Sequence, residues 1–96
     1  MSRSETSRFR LFIAADTPNS LHAIANLTAI CLQYLPGRYA IEIVDVLLEP
    51  QRAMADGIFM TPTLMRISPL PTRTIVGTLA DQLTVARALG LETQAA

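Results

Sequence analysis

Two side chains in this sequence belong to types that commonly carry chemistry, Cys31 and His22. A lone thiol excludes an internal disulfide and any site built from several cysteines. A lone imidazole falls well short of the about four ligands that a zinc ion takes. A reactive thiol also needs a base or a cation nearby to lower its pKa, and the neighbours Ala29-Ile30 and Leu32-Gln33 offer neither. Cys31 therefore reads as a packing residue and His22 as a helix-surface residue. No nucleophile stands with a base, and no acids cluster at a ligand spacing. The expectation is a non-enzymatic protein with no catalytic site, no metal and no cofactor.

The composition narrows the class of partner. The chain has 96 residues, one domain's worth, and its eight basic residues, all Arg, balance eight acids. Each half carries four of each. Without a basic stripe, no nucleic-acid partner held through phosphates is expected. Half of the residues are apolar and no net charge opposes collapse, so the chain should fold. The uncharged stretch Thr17 to Gly37 is long enough to span a bilayer. It holds Asn19, Ser20, His22, Asn26, Thr28 and Gln33, too many polar groups for a lipid-facing helix. Met1 to Arg8 is polar, and the short run Phe9 to Ala15 contains Arg10, unlike a signal peptide. The reading is a cytoplasmic protein with no membrane partner.

The elements follow from period and punctuation. Phe9 to Ala15 is a short strand with apolar residues on both faces, hence central. Thr17 caps a helix that opens at Pro18 and runs to about Leu35, where Pro36-Gly37 ends it. Leu21, Ile24, Ala25, Thr28, Cys31, Leu32 and Leu35 give one apolar face; Leu27, Ile30 and Tyr34 give a second stripe. A helix apolar most of the way round is covered on more than one side, so a second subunit is the expected second cover. Tyr39 to Leu48 is a second strand, parallel to the first through a right-handed crossover. Pro50-Gln51 opens a short helix that Gly57 ends. Leu64 to Ser68 and Thr72 to Val76 are antiparallel strands about Pro69-Leu70-Pro71. Thr78 caps a last helix with Asp81 in its first turn, buried through Leu79, Leu83, Ala86 and Leu89. The expected division is a lead over 1–7, one domain over 8–90 and a tail over 91–96.

The order βαβ, α, ββα is α/β and thioredoxin-like. That fold carries its redox Cys-x-x-Cys at the start of the first helix, where this chain reads Thr17-Pro18-Asn19-Ser20, with no sulfur. It also places a cis-proline before the third strand, where Thr61-Pro62 stands. The scaffold is present and the redox pair is not.

Ala15 to Ser20, Ile43-Val44-Asp45-Val46-Leu47, Pro50-Gln51, Thr61-Pro62-Thr63-Leu64, Pro69-Leu70-Pro71 and Ile75-Val76-Gly77 together resemble the KaiB family, over about Arg8 to Leu89. The resemblance implies a regulatory binding module. Its partner would be a KaiC-like ATPase, alongside KaiA-like or SasA-like proteins. It also implies two packings of one chain: a resting homotetramer of βαββααβ order and a monomeric, thioredoxin-like binding form. This chain departs from the family in having no Lys, an uncharged first helix, and Gly77-Thr78-Leu79-Ala80 where Gly-Asp-Leu-Ser is common. A redox adaptor or a SasA-type sensor domain lacking the Cys pair is the alternative.

Two readings stay open for each candidate site residue. Asp16, Thr17, Pro18 and Asn19 are a recognition loop or a helix cap. Thr61, Pro62 and Thr63 are an exposed switch loop or a turn that sets the third strand. Asp45 is a buried acid with an Arg partner or a solvent-facing edge residue. Pro50, Gln51 and Leu79 complete the candidate partner-binding set. Gly77 is a switch residue or a strand terminator; replacing it with Ala is expected to favour the thioredoxin-like form, as the resemblance implies.

Overall fold

Strand β1 (Ser7–Ile13) takes the interior of the sheet because its two faces are both apolar enough to be covered. In the computed structural model, which describes residues 5–91, it pairs parallel with β2 (Tyr39–Asp45) and antiparallel with β3 (Thr63–Ser68). Strand β4 (Arg73–Val76) pairs antiparallel with β3, giving the order β2-β1-β3-β4. Helix α1 (Pro18–Tyr34) crosses between β1 and β2, α2 (Pro50–Ala55) precedes β3, and α3 (Gln82–Ala88) follows β4. This is the thioredoxin-like order expected above.

The sheet divides the core by side-chain parity. Phe9, Leu11 and Ile13 pack against α1, α3, Leu64, Leu79 and Leu91. Phe12 points the other way and meets Val44 and Ala53, with Val46, Ile58 and Met65 packed around them. Ser7 belongs to β1 and Leu91 is buried, so the expected lead and tail each give one residue to the folded unit. The rest of that tail, 92–96, and residues 1–4 lie outside the described residues.

Helix α1 starts as expected. Thr17 Oγ1 accepts from the Ser20 N–H and Pro18 sits in the first turn. Its buried face differs from expectation. Ser20, Ala23, Leu27, Ile30 and Cys31 face the sheet, while Leu21, Ala25, Thr28 and Leu32 form an exposed stripe. A helix with no charge and apolar residues on most sides has a period but no marked phase. The phase is set by which residues fit against β1 and Leu64, and the small Ser20 and Ala23 allow close approach there.

Two further boundaries shift. Strand β2 stops at Asp45, whose carbonyl accepts from the Leu48 and Glu49 N–H groups and turns the chain. The last helix is capped by Asp81, whose Oδ1 accepts from the Thr84 N–H at 3.1 Å, not by Thr78. Starting three residues later, α3 buries Val85 and Ala86 and leaves Leu83 exposed. Leu79 falls outside the helix yet remains in the core, with φ at +64°.

An ion-pair network fastens α2 to the sheet. Arg10 Nε donates to Glu42 Oε1 and Arg10 Nη1 to Asp56 Oδ2, both at 2.9 Å. Arg52 on α2 holds both oxygens of Glu42. The hydrogen bonds from Arg52 and then Arg10 lower the Glu42 pKa to about 2. A carboxylate with a depressed folded pKa stabilises above its ordinary value near 4.5 and loses that contribution as pH falls toward 2. Glu42→Gln is therefore expected to cost up to about 1 kcal/mol at neutral pH, a screened surface value, and only a small fraction of that at pH 2, where the folded-state carboxylate is about half protonated. Urea melts of both proteins at the two pH values check this, and an equal cost at both would place the effect outside the ion pairs.

Candidate functional site

The position where a thioredoxin holds its sulfur pair is built here as a cap. The Ser20 hydroxyl accepts from the Ala14 N–H at 3.0 Å and from the Thr17 hydroxyl at 2.8 Å. Asp16, Thr17, Pro18 and Asn19 are exposed on this loop. Asp45 reaches the same loop from the end of β2. Its Oδ1 accepts from the Ala15 N–H at 3.3 Å and from the Leu47 N–H at 2.9 Å. Asp45 is not a buried acid with an Arg partner: it lies half-buried at the end of the edge strand β2, accepts from backbone amides and ties two loops together. Ala15 sits at φ +52°, so that tie holds a backbone geometry costly for any residue with a Cβ.

Among the described residues this position holds no sulfur. Cys31 is fully buried, and desolvation pushes its thiol up to about 12. A thiol that stays protonated is neither a nucleophile nor a metal ligand. Among the described residues no group of His, Cys, Asp and Glu could hold a metal ion, and no helix is long and apolar enough to cross a membrane.

The other candidate residues sort by burial. The Thr61–Pro62 bond is cis, Pro62 and Thr63 are buried, and Thr63 Oγ1 donates to the Met60 carbonyl at 2.6 Å. The Gly77 N–H donates to the Pro62 carbonyl at 2.9 Å, which brings these two predicted residues together. Gln51 and Pro50 are exposed on α2. Leu79 is only 4% exposed and cannot meet a partner in this form. It is a core residue, and the reason is the late start of α3.

Between α2 and Thr61 lies a surface that the sequence reading passed over. Phe59 is 95% exposed, Met54 80% and Met60 62%. With Val46, Pro50, Ala53, Ile58 and Thr61 they line a groove of about 310 Å³. Ile58, Phe59 and Met60 also wall a second hollow of about 140 Å³, reaching Thr74 and Val76 on β4. Phe59 is the ridge between the two. Leu47 and Leu48 extend the exposed apolar surface beyond the end of β2. The groove's own lining carries no charge. Large apolar side chains gathered on one surface are the mark of a docking site. The available signal was Ile58-Phe59-Met60 itself, an apolar run between Gly57 and Thr61-Pro62 too short to form an element.

Comparison with known proteins gives a consistent picture. The family model described as the KaiB domain matches residues 10–91. A circadian clock oscillator protein KaiB from Prochlorococcus marinus (strain MIT 9313) is 44% identical over 82 residues, covering 85% of this chain and 69% of its own. Its counterpart from Synechococcus elongatus is 43% identical over 82 residues, covering 85% of this chain and 80% of its own. Among solved structures, the N-terminal domain of Synechococcus elongatus SasA superposes with a TM-score of 0.73 at 22% identity, over 88% of this chain and 84% of that one. Chloroplastic thioredoxin z gives 0.74 at 20% identity, over 93% and 80%. At such identities these structures speak to the fold alone.

Proposed function

The chain belongs to the KaiB family, and we propose that it is a non-enzymatic clock-type regulator that docks on a KaiC-type ATPase and modulates its cycle. The observation that carries this reading is the uncharged groove beside α2, with Phe59 standing almost fully exposed at its edge. A thioredoxin-like scaffold that has lost its sulfur pair and buried its one thiol retains binding as its use. The form described here is then the docking form, and the resting form is a homo-oligomer, tetramer or dimer, in which the same chain packs in the order βαββααβ. The exposed stripe Leu21, Ala25, Thr28 and Leu32 supports self-association, because one small sheet leaves that side of α1 uncovered. KaiA-like and SasA-like proteins are the further partners in this reading, and the cytoplasm is its setting.

Titrating the ATPase of the same organism with this protein, by calorimetry and by its rate of ATP hydrolysis, tests the proposal. Saturable binding with an altered hydrolysis rate is the expected result. Absence of binding at high micromolar concentration, from protein shown to be folded, refutes it.

A further inference from the structure

Among the described residues, sulfur is divided between a buried thiol and thioethers of differing exposure. Cys31 is fully enclosed by α1 and the sheet. Met65 packs against the small core of Phe12, Val44 and Ala53. Met54 and Met60 are open to solvent, and both line the groove at Phe59. Thioether oxidation follows exposure and turns a flexible apolar side chain into a polar one.

We propose that Met54 and Met60 are modification sites for hydroperoxides, and that their sulfoxides switch off the apolar docking surface without unfolding the protein. Each sulfur attacks the O–O bond of hydrogen peroxide. An S–O bond forms as the O–O bond breaks, sulfur gives up two electrons, and the released hydroxide takes up the remaining proton as water. The product carries a strong acceptor oxygen on a wall that has no charged residue and little with which to satisfy it. Covering that oxygen with an apolar partner leaves it unpaired, at a cost in affinity. The side chains contribute little to the core, so the fold tolerates the change. Methionine sulfoxide reductases reverse it, which makes the modification usable as a signal. Its consequence for the ATPase rests on the docking reading above; the oxidation and the loss of apolar surface do not.

The folded protein is treated with hydrogen peroxide at neutral pH. Peptide mass mapping follows the gain of one oxygen at Met54, Met60 and Met65, and fluorescence of the dye ANS reports the apolar surface. The expected result is oxidation of Met54 and Met60 severalfold faster than Met65, a severalfold loss of dye fluorescence, an unchanged melting temperature, and recovery with the reductases. The double variant Met54→Leu, Met60→Leu should keep its dye fluorescence through the same treatment. Met65 reacting as fast as the other two, dye binding unchanged with both sulfoxides formed, or the double variant losing its signal like the parent would each overturn the proposal. If dye binding falls while affinity for the ATPase holds, the modification site stands and the docking reading fails.

Discussion

Phe59→Ala is expected to lower affinity for the proposed partner, a KaiC-type ATPase, by more than tenfold and to leave the melting temperature where it was. The two halves of this expectation share one cause. At 95% exposure the ring contributes almost no buried area to the folded chain, so its removal costs the fold almost nothing. A partner that covers the ridge between the two hollows desolvates the whole ring, and aromatic anchors of this kind typically carry about 2 kcal/mol or more of binding free energy. That converts to roughly thirtyfold in the dissociation constant. Parallel titration and thermal melts of the variant and the parent measure both halves. Unchanged affinity would move the docking surface away from α2, and a large drop in melting temperature would mean that Phe59 is structural.

The element order was legible because its signals are local. Thr17-Pro18 does cap and open α1, Pro50 does open α2, and Phe12 among Phe9, Leu11 and Ile13 does mark a strand covered on both faces. Phase and boundary were less legible. The face of α1 was misassigned because neither side carries a charge to mark it, so the choice falls to packing against β1. The start of α3 was misplaced because Thr78 and Asp81 are both competent caps. Tertiary contacts decide between them. The Thr78 carbonyl accepts from Asn26 Nδ2 on α1 at 2.8 Å, and Leu79 is drawn into the core. Those contacts hold the chain off the helical path until Asp81.

The candidate site was legible in outline only. Pro50 and Thr61 do line the groove, yet nothing in the sequence marks Met54, Phe59 and Met60 as facing outward. Pattern reading assigns apolar residues to the interior, and the informative case is the large apolar residue that stays outside. A loop of five residues between α2 and Thr61 cannot turn Phe59 and Met60 inward while Ile58 fills the small core. Arg66 is the converse case, a charged residue that stays inside. Its Nη1 donates to the Leu89 carbonyl at 2.7 Å and its Nη2 to the Pro71 carbonyl at 2.9 Å, binding the end of α3 to the β3–β4 turn. Its Nε is buried without a partner among the described residues, and burial, with Arg73 opposite it on β4, lowers its pKa. A strand sequence shows an Arg and not the carbonyls that retain it.

Gly77→Ala is expected to destabilise the thioredoxin-like form, the reverse of the direction implied by the family resemblance. Gly77 has φ at +122°, a region that residues with a Cβ rarely adopt. Nothing lies within 4 Å of where the Cβ would sit, so the cost is conformational and not a clash. Relaxation is restricted on both sides. The Gly77 N–H is bound to the Pro62 carbonyl, Thr78 is held by Asn26, and Leu79 is buried at a strained φ of its own. The penalty should therefore be about 1–2 kcal/mol and fall on this form. If the resting oligomer holds the same residue at negative φ, the population ratio moves toward the oligomer by about tenfold, since 1.4 kcal/mol is a factor of ten. Size exclusion reads the oligomer fraction and a denaturant melt of the monomer reads the penalty. A variant monomer as stable as the parent would show that the 77–81 segment relaxes at no cost, and Gly77 would then be a strand terminator with no influence on which packing the chain adopts.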